Sequence, residues 1–141
     1  MNPRILVIED NLVNQDLVKT LLQRAGYTTL TALSGTQGLE LFRQEKPDLV
    51  LLDINIPGLN GIEVTRQIRS IEASDPDVAT PIIAFTGSVG SGDVETYLEA
   101  GMNDFLPKPF RATELIEKIK AYLELRDSYR SMKSKSLPKL S

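Results

Sequence analysis

No cysteine occurs in the 141 residues, which excludes disulfides, thiolate nucleophiles and cysteine-held metals. Histidine is absent too, so the usual general base near neutral pH and the commonest transition-metal ligand are missing. Any phosphohistidine chemistry must therefore use a histidine on another protein. There is no basic excess: 16 Lys and Arg stand against 19 Asp and Glu, a net charge of −3. That balance gives no general attraction to nucleic acid or to an anionic membrane. No apolar run approaches the ~18 residues of a membrane span, and Met1-Asn2-Pro3-Arg4-Ile5 lacks a signal-peptide pattern. A cytoplasmic protein without membrane insertion is expected. What is present is ordinary for a globular chain: 41% hydrophobic and 25% charged residues, in a length that suits one domain with a real core.

The chain is organised around Asp48-Leu49-Val50-Leu51-Leu52-Asp53. Four large apolar residues end at a carboxylate, and Ile54-Asn55-Ile56-Pro57-Gly58 follows at once. Such a run, bounded by turn formers, reads as a strand buried on both faces of a parallel sheet. Ile5-Leu6-Val7-Ile8 is a second run of this kind, ending in Glu9-Asp10, and Pro81 to Thr86 is a third. Tyr27 to Leu33 and Asp104-Phe105-Leu106 read as shorter strands. Between them lie helical patterns. In the first, Val13, Leu17, Val18, Leu21, Leu22 and Ala25 recur on an apolar face, with Gln15, Asp16, Lys19 and Gln23 opposite. The next carries Leu39 and Phe42 behind a capping signal at Ser34-Gly35-Thr36-Gln37. The third opens at Asn60-Gly61 with Ile62, Val64, Ile68 and Ile71 inward. The fourth carries Val94, Tyr97 and Leu98, and the last Leu115, Ile116, Ile119, Tyr122 and Leu123. Ser74 to Asp77 reads as a polar loop and Gly87 to Asp93 as a flexible, Gly-rich one.

Five strand-then-helix units predict right-handed crossovers and an α/β fold: a flavodoxin-like, doubly wound parallel sheet with strand order 2-1-3-4-5. The domain is expected to span 1–125. The remainder, 126–141, is basic and Ser-rich and reads as a flexible tail.

The polar ends of four strands would meet at the carboxyl edge: Glu9 and Asp10, Asp53, Thr86, and Lys108. Three carboxylates at ~4–5 Å, in an effective dielectric near 20, repel by roughly 3–4 kcal/mol per pair. A bound cation relieves this, and oxygen ligands select a hard one such as Mg²⁺. Asp53 could then attack a phosphorylated donor as nucleophile, with Lys108 stabilising the phosphoryl oxygens and the Thr86 hydroxyl donating to the product.

Glu9-Asp10, Asp53 with Ile56-Pro57-Gly58-Leu59-Asn60-Gly61, Thr86-Gly87, Glu99 to Phe105 and Lys108-Pro109-Phe110 together resemble the receiver domain of two-component response regulators, over about Arg4 to Leu125. The form it resembles is the single-domain, chemotaxis-regulator-like one. The resemblance implies that Asp53 is the phosphoacceptor and that Asp10 ligates Mg²⁺ directly, with Glu9 acting largely through water. It implies that the Asn55 main-chain carbonyl joins the metal, that Thr86 and Phe105 form the switch pair, and that the Lys108–Pro109 bond is cis. It also implies a phosphoacceptor signalling domain rather than a turnover enzyme, a monomer or weak dimer. The donor would be a histidine kinase or histidine phosphotransfer protein, and the output a downstream protein target without direct nucleic-acid contact. Asp10-Asn11 and Asn14-Gln15 also resemble receivers of hybrid kinases, so a fragment of a larger regulator is an alternative. A rival from another class is an aspartyl-phosphate hydrolase. Such enzymes usually carry a second Asp two residues past the nucleophile, where this chain has Asn55. A flavodoxin-like cofactor binder is disfavoured because the first strand–helix loop has no Gly-rich phosphate cradle.

Overall fold

The computed structural model describes residues 2–56, 59–73, 79–87 and 91–136. Strands β1 (Arg4–Ile8), β2 (Thr28–Ala32), β3 (Leu49–Asp53), β4 (Ile82–Thr86) and β5 (Asp104–Pro107) alternate with helices α1 (Leu12–Arg24), α2 (Gly35–Glu45), α3 (Gly61–Glu72), α4 (Ser91–Ala100) and α5 (Ala112–Ser136). All strand pairs are parallel, in the order β2-β1-β3-β4-β5. This is the expected flavodoxin-like architecture, with the switch point between β1 and β3. Pro57-Gly58, the polar loop near Ser74 to Asp77, and the middle of the Gly-rich loop lie outside the described residues.

Every residue of β3 and β4 is buried, which is why these segments are apolar without alternation. Side chains of successive residues leave opposite faces of the sheet. Leu6, Ile8, Val50, Leu52, Ile82 and Ala84 pack under α2, α3 and α4, through Leu39, Phe42, Val64, Ile68 and Tyr97. Ile5, Val7, Leu49, Leu51, Ile83 and Phe85 pack under α1 and α5, through Val18, Leu22, Leu115, Ile119 and Leu123. Each buried Val, Leu, Ile or Phe among them stabilises the fold by roughly 1.5–3 kcal/mol relative to exposure.

The helices begin where capping residues stand. Asn11, Ser34 and Asn60 accept from the main-chain N–H groups of Asn14, Gln37 and Glu63. The Gln37 side chain completes the second cap by accepting from the Leu33 N–H at 2.8 Å. Gly61 lies so close beneath the end of β3 that a Cβ there would sit 2.9 Å from Ile54 Cα and 3.0 Å from the Asp53 carbonyl oxygen. Only glycine lets α3 start against that strand.

Three expectations change. In α1, Val13 and Leu17 are 77% and 56% exposed, while Gln15 is buried beside Val18 and Leu22. At about 100° per residue, 15, 18 and 22 share one face, and 13 and 17 lie on the opposite one. Counting apolar residues had merged two stripes. Leu98, one of the three apolar residues that mark the α4 pattern, is also exposed. Finally, α5 does not stop at Leu125 but continues through Ser136. No Gly or Pro interrupts the chain between Ala112 and Pro138, so nothing terminates the helix earlier. Arg126 is largely buried and donates to the main-chain oxygen and Oδ1 of Asp48, both at 2.9 Å.

Candidate phosphoacceptor site

The register Ile8–Leu52 carries Glu9, the residue after β1, alongside Asp53. Asp53 in turn pairs with Phe85 across β4, and Thr86 with Pro107 across β5. The strand order thus brings the polar ends of β1, β3, β4 and β5 to one rim, as the sequence predicts. Glu9, Asp10 and Asp53 offer carboxylate oxygens that all lie within 4.8 Å of one another. Glu9 and Asp53 are buried; Asp10 is exposed at the mouth.

Asp53 is held on two sides. Its Oδ1 accepts the Asn55 main-chain N–H at 3.0 Å, and its Oδ2 lies 3.3 Å from the Lys108 ammonium. Burial alone works to raise its pKa, but the facing Glu9 carboxyl, the Asn55 N–H and Lys108 outweigh that and hold it below its ordinary value. Glu9 goes the other way. Burial first, and the facing Asp53 second, push it up to about 7 against the pull of Asn14 and Lys108. The acidic pair therefore keeps its proton on Glu9 and leaves Asp53 ionised, the form a nucleophile requires. One oxygen of Glu9, Oε2, is buried without a hydrogen bond among the described residues, 3.9 Å from Lys108.

Lys108 is aimed by its surroundings. Its main-chain N–H donates to the Thr86 carbonyl at 2.7 Å, and the following Pro109 bond is cis. Its ammonium lies 5.0 Å from the centre of the Phe85 ring, a cation–π contact. Phe110 packs edge-on against that ring, with centroids 6.2 Å apart. Thr86 is buried at the end of β4, and Phe105, opposite Ala84, is half-buried against the core on the α4 side. Asn55 is exposed.

Three contributors have no site role assigned from the sequence, although Asn14-Gln15 is part of the hybrid-kinase resemblance. The Asn14 side-chain amide donates to Glu9 Oε1 at 3.1 Å. Gln15 donates to the carbonyls of Glu9 and Ala32, at 3.3 and 3.0 Å, tying β1 to β2 at the rim. Phe85 reads as core and also faces Lys108. A groove of about 340 Å³, lined by Asn14, Leu17, Val18, Phe85, Lys108, Pro109 and Phe110, opens beside the acidic cluster.

The donor set fits a hard divalent ion. It is all oxygen, it concentrates negative charge, and it includes a buried oxygen without a hydrogen-bond partner among the described residues. A doubly wound sheet whose switch-point rim carries an acidic pair, a buried Asp and a Lys across from it defines a class of α/β domain with a candidate cation site at that rim. The comparisons agree: the family model described as the response regulator receiver domain matches residues 5–120, and the chain belongs to that family. It is 35% identical over 123 residues to the polar-differentiation response regulator DivK of Brucella ovis, covering 87% of this chain and 98% of DivK. It is 37% identical over 127 residues to the DNA-binding response regulator MtrA of Mycolicibacterium paratuberculosis, covering 90% of this chain. The chain spans about half the length of MtrA, 54%. Among solved structures, the receiver domain of the sensor histidine kinase PA1611 from Pseudomonas aeruginosa, which has a magnesium ion coordinated in its active site cleft, is 35% identical with a TM-score of 0.77. That match covers 88% of this chain and 99% of the other.

Proposed function

We propose that this receiver domain takes a phosphoryl group onto Asp53 from a phosphohistidine of a sensor kinase or phosphotransfer protein, and that the modified domain then contacts a downstream protein. The observation that carries the reading is the buried Asp53 carboxyl group, fixed between the Asn55 N–H and Lys108 and faced by Glu9 and Asp10. Glu9, Asp10, Asp53 and the Asn55 main-chain carbonyl would hold Mg²⁺. When bound, the ion supplies positive charge that offsets the acidic cluster and the phosphoryl oxygens.

An Asp53 oxygen–phosphorus bond forms as the phosphorus–nitrogen bond of the donor breaks, and the bonding pair returns to the donor imidazole. Lys108, already 3.3 Å from Asp53 Oδ2, follows the negative charge onto the phosphoryl oxygens. Acyl phosphate on Asp53 adds charge and acceptor oxygens beside Thr86. The Thr86 hydroxyl turns toward them, and Phe105 moves into the space released, which alters the α4–β5 surface. A protein donor approaches over α1, where Leu12, Val13 and Leu17 are exposed and Leu17 lines the groove that also carries Lys108. A second reading, the receiver of a hybrid kinase, is favoured by the 35% identity to the PA1611 receiver and assigns Asp53 the same chemistry.

The test is incubation with Mg²⁺ and a small acyl-phosphate donor, followed by intact mass and peptide mapping. One phosphoryl group on Asp53, absent in Asp53→Asn and without Mg²⁺, is the expected result, with displaced Phe105 ring resonances in the labelled protein. Label on another residue, or normal uptake by Asp53→Asn, overturns the assignment, and unmoved Phe105 resonances overturn the switch.

A further inference from the structure

We propose that Asn14 is a positioning residue: its amide fixes one oxygen of Glu9 so that the other stays turned to the acidic cluster and available to the divalent ion. The inference rests on the metal site proposed above.

Asn14 lies in the first turn of α1, and its own main-chain N–H is bound at 3.0 Å by Asn11 Oδ1, the helix cap. That cap sets the direction of the side chain, whose Nδ2 reaches Glu9 Oε1 at 3.1 Å. The neighbouring Gln15 holds the Glu9 main-chain carbonyl, so the residue is gripped at both ends. The remaining oxygen, Oε2, has no hydrogen bond among the described residues and sits 3.9 Å from the Lys108 ammonium. A Glu9 carboxylate released from Asn14 can turn and close onto that ammonium, which removes both groups from their tasks at Asp53. The donor's neutrality matters as well. A cation at position 14 would neutralise Glu9, whereas an amide orients the carboxylate and leaves its charge for the metal.

The experiment measures Mn²⁺ affinity by electron paramagnetic resonance in the wild type, Asn14→Ala, Glu9→Gln and the double variant, with thermal unfolding in parallel. Alanine is the better helix former, so Asn14→Ala keeps its fold. Its expected loss is about tenfold in metal affinity, the scale seen for outer-shell partners of metal ligands. Because Asn14 acts through Glu9, the same substitution should cost nothing further in the Glu9→Gln background. Asn14→Gln, which keeps an amide donor, should recover part of the loss. Wild-type affinity in Asn14→Ala, or an undiminished loss in the Glu9→Gln background, overturns the inference and leaves the metal site standing. A wild type that binds no Mn²⁺ overturns both.

Discussion

Glu9 closes β1 with a carboxylate that is 1% exposed and faces Asp53, an arrangement that must show in the pH dependence of stability. Its folded pKa is raised from 4.5 to about 7, so the native metal-free protein holds a proton that the unfolded chain has lost between those values. Stability should therefore fall as pH rises from about 4.5 to about 7, by on the order of a few kcal/mol. Asp53 acts oppositely and elsewhere. Its pKa is depressed, so its contribution is present above the ordinary Asp range and is lost only as pH falls below it. Denaturant titrations of metal-free protein across this range should show the decline, and Glu9→Gln should flatten it. A wild-type curve as flat as that of Glu9→Gln would contradict the assignment of the shared proton. The acidic residues, Thr86 and Lys108 were legible in the sequence because each terminates an apolar run or strand. Asn14 and Gln15 were not, because helical periodicity assigns polar side chains to solvent and cannot see a neighbouring strand end that needs donors. Phe85 was hidden differently: a core aromatic and a cation platform have the same sequence signature.

At the scale of single elements, α1 tests which apolar stripe is structural. Val18 and Leu22 are 2% and 0% exposed, against 56% for Leu17. Leu22→Ala should cost about 2–5 kcal/mol through the cavity it leaves. Leu17→Ala should stay within about 0.5 kcal/mol of wild type. Any deficit in Leu17→Ala should appear in transfer from a protein donor and not in the rate with a small acyl phosphate. Equal urea midpoints for the two variants would place the helix on the sheet by the wrong face. The strands, by contrast, were read nearly to the residue, because a segment buried on both sides leaves little ambiguity. The end of α5 was misplaced because charge and serine content suggested disorder, while the absence of any breaker before Pro138 and the tertiary hold on Arg126 decided for helix.

Across the whole molecule, that hold joins distant parts of the chain. Arg126 of α5 grips Asp48 just before β3, and Asp48 Oδ2 in turn accepts the Arg4 main-chain N–H at 2.7 Å. Arg4 continues the network to Glu45 at the end of α2. Arg126→Ala should destabilise the domain by about 1–2 kcal/mol, since it strips a carboxylate and a carbonyl of a charged donor at a partly exposed site. Chemical denaturation reads this directly, and an unchanged midpoint would show the contact to be passive. Labelling of Asp53 should proceed normally in the same variant, because the network lies at the opposite end of β3.

The glycine seam between α3 and β3 has a mechanical corollary. With no side chain at residue 61 to act as a spacer, the start of that helix lies directly against the backbone at the end of β3, so a shift of one is passed to the other.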